Sequence, residues 1–310
     1  MTHSQRQSRK IKAARLSIFS NSLLVVFKLA AGIFIGSVSV MSEAIHSGID
    51  LVAAGIAYFA VRSASQPADR EHQYGHGKFE NISGFIEAIL IFVAAAWIIF
   101  EAVKKLISPV AIDMVGWGIF VMAFSSFVNL VVSGILFKAG KETDSIALTA
   151  DAWHLRTDVY TSLGVMGGLG LIWLIERLMP GRHVHWIDPL VAIIVAVMII
   201  KAAYELTMQS IGGLLDESLP QSENDKIHGL ILSVDGIKGC KNLHTRKAGA
   251  TRFVEADVLV DGCMTVDAAH ALTDTIGNGI TAAFDGSQVL IHVEPCTKNT
   301  VGADGAVRKN

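Results

Sequence analysis

Residues 80–103 read ENISGFIEAILIFVAAAWIIFEAV, a stretch that is apolar along most of its length. A helix needs about 20 such residues to cross the hydrocarbon core of a bilayer. Five further stretches have the same character, at 16–36, 38–61, 112–138, 145–175 and 186–209. The sequence therefore predicts an all-α domain of six transmembrane helices.

Turn signals separate several of these stretches. Gly36 and Ser37 leave room for only a tight connection between the first two, which predicts a helical hairpin. Pro109 interrupts the chain between the third and fourth stretches, and Pro180-Gly181 does so between the fifth and sixth.

The positive charges of the short loops predict the orientation, because cytoplasmic loops carry an excess of Lys and Arg. One side of the membrane collects ten such residues and the other side four. The ten are Arg6, Arg9, Lys10, Lys12, Arg15, Arg62, Arg70, Lys78, Lys138 and Lys141; the four are Lys104, Lys105, Arg177 and Arg182. Both termini are therefore expected in the cytoplasm.

The composition indicates two environments. Hydrophobic residues make up 51% of the 310 residues and charged residues 17%, whereas about a quarter of the residues are charged in ordinary soluble proteins. The apolar residues concentrate in the middle of the chain. We expect a cytoplasmic segment at 1–15, a membrane domain at 16–210, a cytoplasmic domain at 211–296 and a disordered tail at 297–310.

After Pro220 some segments have apolar residues at the spacing typical of helices, and others at the spacing typical of strands. The expected elements are a helix, two strands, a helix and a strand, at 221–234, 241–248, 251–260, 266–284 and 288–294. The order αββαβ fits a small α+β domain with its helices on one face of a sheet.

Composition and motifs exclude several classes of function. The net charge of −2 comes without a basic stripe, so nucleic-acid binding is not expected. The three cysteines form no CxxC pair and favour a reducing compartment. The zinc-peptidase string HExxH is absent, as are GxSxG and a Walker motif, which argues against a membrane enzyme.

Four ionisable residues form matched pairs inside two predicted spans. His46 and Asp50 lie in SEAIHSGID (42–50), and His154 and Asp158 lie in ADAWHLRTD (150–158). Each pair is spaced i,i+4 and therefore projects from one helix face. Charged residues at such depth cost about 3 kcal/mol each on insertion scales and are candidates for function.

Two facing pairs supply the four ligands of a tetrahedral Zn²⁺ site. In antiparallel spans His46 is expected level with Asp158, and Asp50 with His154. Two carboxylates neutralise a dication, and imidazole favours Zn, Cu, Fe or Ni over Mg and Ca. Since the ligands must lose protons to bind metal, such a site suits exchange of metal for protons. The alternative is that both pairs are hydrogen bonds between helices.

Three other charged residues of the spans are interpreted differently. Arg156 lies two residues from both His154 and Asp158 and is expected to face away from the pair. Lys28 and Glu87 are isolated in mid-span, where a long side chain usually snorkels or forms a structural pair.

The chain resembles the cation diffusion facilitators, and within them the bacterial exporters of zinc and ferrous iron. The resemblance rests on FKLAAGIFIGSVSV (27–40), PADREHQYGHGKFE (67–80), ADAWHLRTD and IHVEPC (291–296). It implies a homodimer in a bacterial inner membrane, six spans per subunit, a cytoplasmic metallochaperone-like domain and metal/H⁺ exchange. Zn²⁺ is the implied cargo, with Fe²⁺, Co²⁺, Cd²⁺ and Mn²⁺ as alternatives.

The resemblance also implies further functional residues. Asp69, His72 and His76 match a second metal site in the loop after the second span, and Lys78 and Asp216 match a pair at the dimer interface. In the cytoplasmic domain the implied metal ligands are Asp257, His270, His292 and Glu294.

The match in the cytoplasmic domain is incomplete, because Lys241 and Asp257 stand where the family has histidines. His244 is displaced from the family position by three residues. A membrane-embedded metal sensor or receptor remains the alternative function, and it would bind metal without transporting it.

Overall fold

The computed structural model describes residues 3–35, 38–107, 116–178 and 186–296. The predicted connections at Gly36-Ser37, Pro109 and Pro180-Gly181 lie outside these residues, and so does the predicted tail at 297–310. The chain divides into a helical unit, Gln5–Ile211, and a second unit that begins at Gly212. Each unit has its own core.

The helical unit contains the six long helices that the sequence predicts. They are α1 (His3–Ile35), α2 (Val38–Ala64), α3 (Lys78–Ile107), α4 (Gly116–Thr143), α5 (Ile146–Leu178) and α6 (Ile187–Leu214). Over the described residues, all except α5 meet the length and composition needed to cross a membrane. α5 has 33 residues, and its first half carries Asp151, His154, Arg156 and Asp158.

α1 begins within the segment 1–15, and the assignment of this segment to the cytoplasm stays a prediction. The basic segment at 1–15 is predicted to face water, but α1 already begins at His3 and buries Lys10, Ala13 and Ala14. The alternation of basic and small residues in this segment is typical of sequence that faces water. In the structure the small residues pack in a core that α1 shares with α2, α4 and α5.

α5 is the centre of the helical unit, because it packs against α2, α3 and α4. Leu148 and Leu155 belong to one buried cluster, whereas Ala150 belongs to another that α3 and α6 complete. Small residues allow the helices to approach closely. At Gly84 of α3, for example, a Cβ atom would lie 2.7 Å from Ser210 Oγ on α6.

A buried polar cluster ties three helices together. Lys10 Nζ on α1 lies 2.6 Å from Glu80 Oε1 on α3. Ser145, which directly precedes α5, donates a hydrogen bond to the other oxygen of the same carboxylate. Glu80 is 1% exposed, so its charge depends on these two partners.

The second unit has the predicted αββαβ order, and the predicted fold class is confirmed. Its elements are α7 (Gln221–Leu232), β1 (Gly239–Ala248), β2 (Thr251–Val260), α8 (Val266–Ala283) and β3 (Gln288–Pro295). β1 and β2 form an antiparallel hairpin whose turn contains Gly249 at φ 58°. α8 then crosses over, and β3 pairs with β2 in parallel.

Both helices of the second unit cover the same face of the sheet. Ile227 and Ile231 of α7 and Ile276 and Ile280 of α8 are buried against alternate β2 residues. Those residues, Val254, Ala256 and Val258, alternate in the sequence with Phe253, Glu255 and Asp257 and form the apolar face of β2 that packs against the helices.

We predict that Lys10→Met destabilises the detergent-solubilised protein. The change leaves Glu80 buried without its cation, which costs about 3–5 kcal/mol, and thermal unfolding monitored by circular dichroism should detect it. The double variant Lys10→Met/Glu80→Met should recover most of the loss. Lys201→Met is the control, because Lys201 is 80% exposed and its substitution should change little. Equal unfolding of wild type and Lys10→Met would contradict the structural role of the pair.

Candidate metal centre

The four intramembrane residues lie where α2 and α5 pack against each other. His46 and Asp50 are one turn apart on α2, with His46 Nε2 3.9 Å from Asp50 Oδ1. His154 and Asp158 are likewise one turn apart, on α5. The helical spacing therefore aims all four side chains at one interface.

The contacts across the interface join the residues that are expected to lie at the same depth. His46 Nε2 lies 3.7 Å from Asp158 Oδ1, and His154 Nε2 lies 3.2 Å from Asp50 Oδ1. Each level thus contains one imidazole and one carboxylate, as the antiparallel arrangement predicts.

The separations suit a small metal ion. Ligand atoms 2.0–2.2 Å from Zn²⁺ lie roughly 3.4 Å from one another in a tetrahedron. Ligand atoms of His46, Asp50 and Asp158 all lie within 4.8 Å of one another, and His154 adjoins them through Asp50. Both the donor set and its spacing are compatible with a divalent transition-metal ion.

The two levels differ in exposure. The side chains of His46 and Asp158 are 52% and 19% exposed, and those of His154 and Asp50 are 9% and 4% exposed. His46, Asp50 and Asp158 line a polar cavity of about 170 Å³. The remaining lining residues are Lys28, Met122, Ser125, Ser126, Asn129, Thr161 and Ser162.

Two polar residues in the cavity wall extend the site beyond the predicted ligands. Asn129 Nδ2 on α4 lies 3.5 Å from Asp158 Oδ2. Lys28 on α1 is 6% exposed, and its ammonium donates a hydrogen bond of 2.8 Å to Ser47 Oγ on α2. Lys28 is therefore buried among helices instead of snorkelling. From its isolation in an apolar span the sequence predicts snorkelling or a structural pair, and it does not identify the surroundings of Lys28.

Glu87 lies behind the more buried level. This residue of α3 is fully buried, and its Oε2 atom is 3.7 Å from His154 Nδ1, the ring nitrogen that faces away from Asp50. A carboxylate at the far nitrogen of a ligating histidine commonly orients the ring. Asp151, one turn before His154, is also buried. Glu87 is isolated in the sequence because its neighbour, His154, lies on another helix.

A second group of candidate ligands lies in the loop between α2 and α3. Ligand atoms of Asp69, His72 and His76 lie within 4.8 Å of one another. Asp69 Oδ1 accepts hydrogen bonds from the backbone N–H groups of Glu71 and His72, at 2.9 and 2.6 Å. The two imidazole rings are 4.5 Å apart between centroids. A compact turn thus gathers the three predicted residues.

The turn also sets the charge of its carboxylate. The hydrogen bond from the backbone N–H of His72 lowers the pKa of Asp69 below its usual value, with smaller contributions from Glu71 and from both histidines. Asp69 is therefore ionised at neutral pH and available to a cation.

The four candidate ligands of the cytoplasmic domain are not gathered at one point of this chain. Asp257 and His292 are register partners on β2 and β3, and His292 Nε2 lies 3.9 Å from Glu294 Oε1. His270 lies on α8, where its neighbour is Asp274 at 3.8 Å. The side chains of His270 and His292 are 73% and 69% exposed.

Both carboxylates of this set already have protein partners. Lys241 Nζ lies 2.5 Å from Glu294 Oε2, and Asn242 Nδ2 donates a hydrogen bond of 2.7 Å to Asp257 Oδ2. Asn242 has a φ of 50°, at the irregularity where the β1–β2 register shifts. Lys241 therefore stands at a position where the resemblance implies a metal ligand, and it forms an ion pair with Glu294, another candidate ligand.

The predicted interface pair lies in the two separate units. Lys78 is the first residue of α3. Asp216 follows α6 with a φ of 58°, and its Oδ1 lies 3.3 Å from Arg246 Nη1 on β1.

Two family models match consecutive parts of the chain. The cation efflux transmembrane domain matches residues 14–215. The cytoplasmic domain of cation efflux proteins matches residues 219–296.

Similar proteins align along almost the whole chain. An uncharacterized transporter of Synechocystis sp., sll1263, is 37% identical over 284 residues, covering 91% of this chain and 89% of its own. The cation-efflux pump FieF of Yersinia enterocolitica is 30% identical over 289 residues, covering 93% and 94%. The solved metal-bound C-terminal domain of the CzcD transporter from Thermotoga maritima is 32% identical and covers 24% and 88%, with a TM-score of 0.24.

We predict that Asp69→Asn weakens metal binding in the loop without unfolding it. The amide oxygen can still accept the two backbone hydrogen bonds, but the ligand loses its charge, so Zn²⁺ affinity should fall about tenfold or more. Calorimetry in an Asp50→Ala background isolates the loop contribution. The control is Glu71→Gln, which removes a neighbouring exposed charge and should leave the affinity unchanged. Undiminished binding in Asp69→Asn would show that this carboxylate is not a ligand.

Proposed function

The chain belongs to the cation diffusion facilitator family of cation efflux transporters, and from that premise we propose that it exports Zn²⁺ from the cytoplasm in exchange for protons. The observation that carries the proposal is the set of two imidazoles and two carboxylates between α2 and α5. It adjoins a polar cavity within the apolar helical unit.

The chemistry of the donor set supports the choice of metal. Mg²⁺ and Ca²⁺ prefer oxygen ligands alone, whereas imidazole suits the later transition metals. Fe²⁺, Co²⁺, Cd²⁺ and Mn²⁺ are the competing cargoes, and flux measured with mixtures of these ions separates them.

The same ligands support exchange for protons. Histidine and aspartate bind a metal ion only after losing their protons, so arrival of the metal releases protons and their return favours its departure. A proton gradient directed into the cytoplasm then drives the metal outward.

The distribution of Lys and Arg supports the proposed orientation of the chain in the membrane. Ten such residues against four in the short loops favour cytoplasmic termini. The proposed division is a cytoplasmic segment at 1–15, a membrane domain at 16–210 and a cytoplasmic domain at 211–296, in a bacterial inner membrane. The functional unit is a homodimer in which Lys78 and Asp216 contribute to the interface.

The cytoplasmic domain modulates transport and does not conduct the ion. Its candidate ligands, Asp257, His270, His292 and Glu294, lie outside the membrane helices. A metal bound there can shift the conformational equilibrium of the dimer only if it binds one state more tightly than the other. Because Lys241 engages Glu294, this binding is weak in the present chain.

We predict that Asp50→Ala and Asp158→Ala each abolish Zn²⁺ flux in proteoliposomes and leave dimer assembly intact. Each change removes one of the two carboxylates that neutralise the ion. Glu205→Ala is the matched control, because Glu205 is an exposed acid on α6 away from the cavity. Near wild-type flux in both cavity variants would refute the site. A wild-type protein that binds Zn²⁺ without moving it would instead indicate a sensor.

We predict that Lys241→His strengthens Zn²⁺ binding by the cytoplasmic domain about tenfold. The substitution removes a cation, releases Glu294 and adds an imidazole. Calorimetry on the full chain carrying Asp50→Ala and Asp69→Ala isolates this domain, and Lys247→His on the same strand is the control. Two tightly bound Zn²⁺ ions per subunit before the Lys241 substitution would refute the weak-site argument.

A further inference from the structure

We propose that Lys28 sets the metal affinity and the turnover of the transport cavity, as a fixed cation that weakens metal binding enough for the ion to leave. The proposal rests on the proposed function, because it assigns a role within that same site. It adds a residue of α1 to a site whose ligands come from α2 and α5.

The first support is the way in which Lys28 is held. Its side chain is buried within the helical unit, and its ammonium is 2.8 Å from Ser47 Oγ. Ser47 directly follows His46 on α2. The hydrogen bond therefore fixes a positive charge beside a metal ligand and restricts the flexible lysine stem.

The second support is the shared cavity. Lys28 lines the same space of about 170 Å³ as His46, Asp50 and Asp158. Among the described residues of its lining, Lys28 is the only lysine or arginine. A cavity of this volume is only a few ångströms across, and the apolar helices around it screen charge poorly. The ammonium and an arriving dication must therefore repel each other strongly.

The consequence for binding is a lower affinity than the ligand set alone would give. Two carboxylates and two imidazoles form a strong site for Zn²⁺. A carrier needs binding that is favourable enough for entry and weak enough for release. The fixed charge of Lys28 lowers the affinity of the site for the ion and thereby favours its release.

The consequence for the rest of the cycle concerns the carrier after release. Until protons return to them, Asp50 and Asp158 would place two negative charges at membrane depth, which is costly. Lys28 offsets one of them without leaving the protein. Lys28 thus repels the ion while the ion is bound, and it neutralises part of the charge of the two carboxylates after the ion has left.

The test compares neutral and charged replacements of Lys28 in the full-length protein. Zn²⁺ affinity is measured by calorimetry in detergent, and Zn²⁺ flux is measured against concentration in proteoliposomes. Lys28→Gln and Lys28→Met should bind Zn²⁺ about tenfold more tightly, lower KM and reduce the maximal rate about tenfold. Lys28→Arg retains the charge and should restore KM towards the wild-type value.

A purely structural lysine gives a different pattern. Loss of a packing or hydrogen-bonding role weakens binding or lowers stability, so KM would rise or stay unchanged, and either result overturns the proposal. Lys28→Gln keeps a polar group that can reach Ser47 if Lys28→Met does not fold. Lys201→Gln removes an exposed lysine charge and should alter neither quantity.

The calorimetric result separates this proposal from the proposed function. Tighter Zn²⁺ binding in Lys28→Gln supports the fixed cation even if no flux is found, in which case transport itself fails. Flux in the wild type with unchanged affinity and KM in both neutral variants overturns the fixed cation and leaves the transporter intact.

Discussion

Charge compensation inside an apolar helical unit is the constraint on which the rest of the structure depends. An ion in the hydrocarbon region has no water to solvate it, so each charged side chain must meet a partner on a neighbouring helix. Asp50 meets His154, Asp158 meets His46, and Glu80 meets Lys10. These contacts join helices that are far apart in sequence, and they fix which faces pack together.

Small residues make those contacts possible. In α2, Ala53, Ala54 and Ala57 are completely buried, and in α5 Ala147 and Ala152 are buried in the same way. Without hydrophobic driving force between helices in lipid, close approach through small side chains supplies the packing energy. The backbones come near enough for short side chains such as aspartate to reach across. The small residues that surround the ionisable ones therefore determine both the helix packing and the geometry of the candidate ligands.

Much of this arrangement can be predicted from the sequence, because its signals are local. The length of an apolar run indicates a span, and the spacing of His46 and Asp50 predicts a shared face. The alternation at 251–260 predicts which side of β2 is buried. The surroundings of Lys28 and Glu87 could not be predicted, because Ser47 and His154 lie on other helices. The burial of Lys10 could not be predicted either, because it depends on Glu80, a partner distant in sequence.

The unequal exposure of the two ligand levels has a consequence for the chemistry of entry. In the proposed transport, an ion that enters through the cavity meets His46 and Asp158 first, since these side chains are the more exposed, then Asp50, which lines the same cavity, and His154 behind it. A hydrated dication gives up its water at great cost when all of it must leave at once. In the proposed transport, two waters would be exchanged for ligands while the others remain in place, so that dehydration would proceed through successive ligand exchanges.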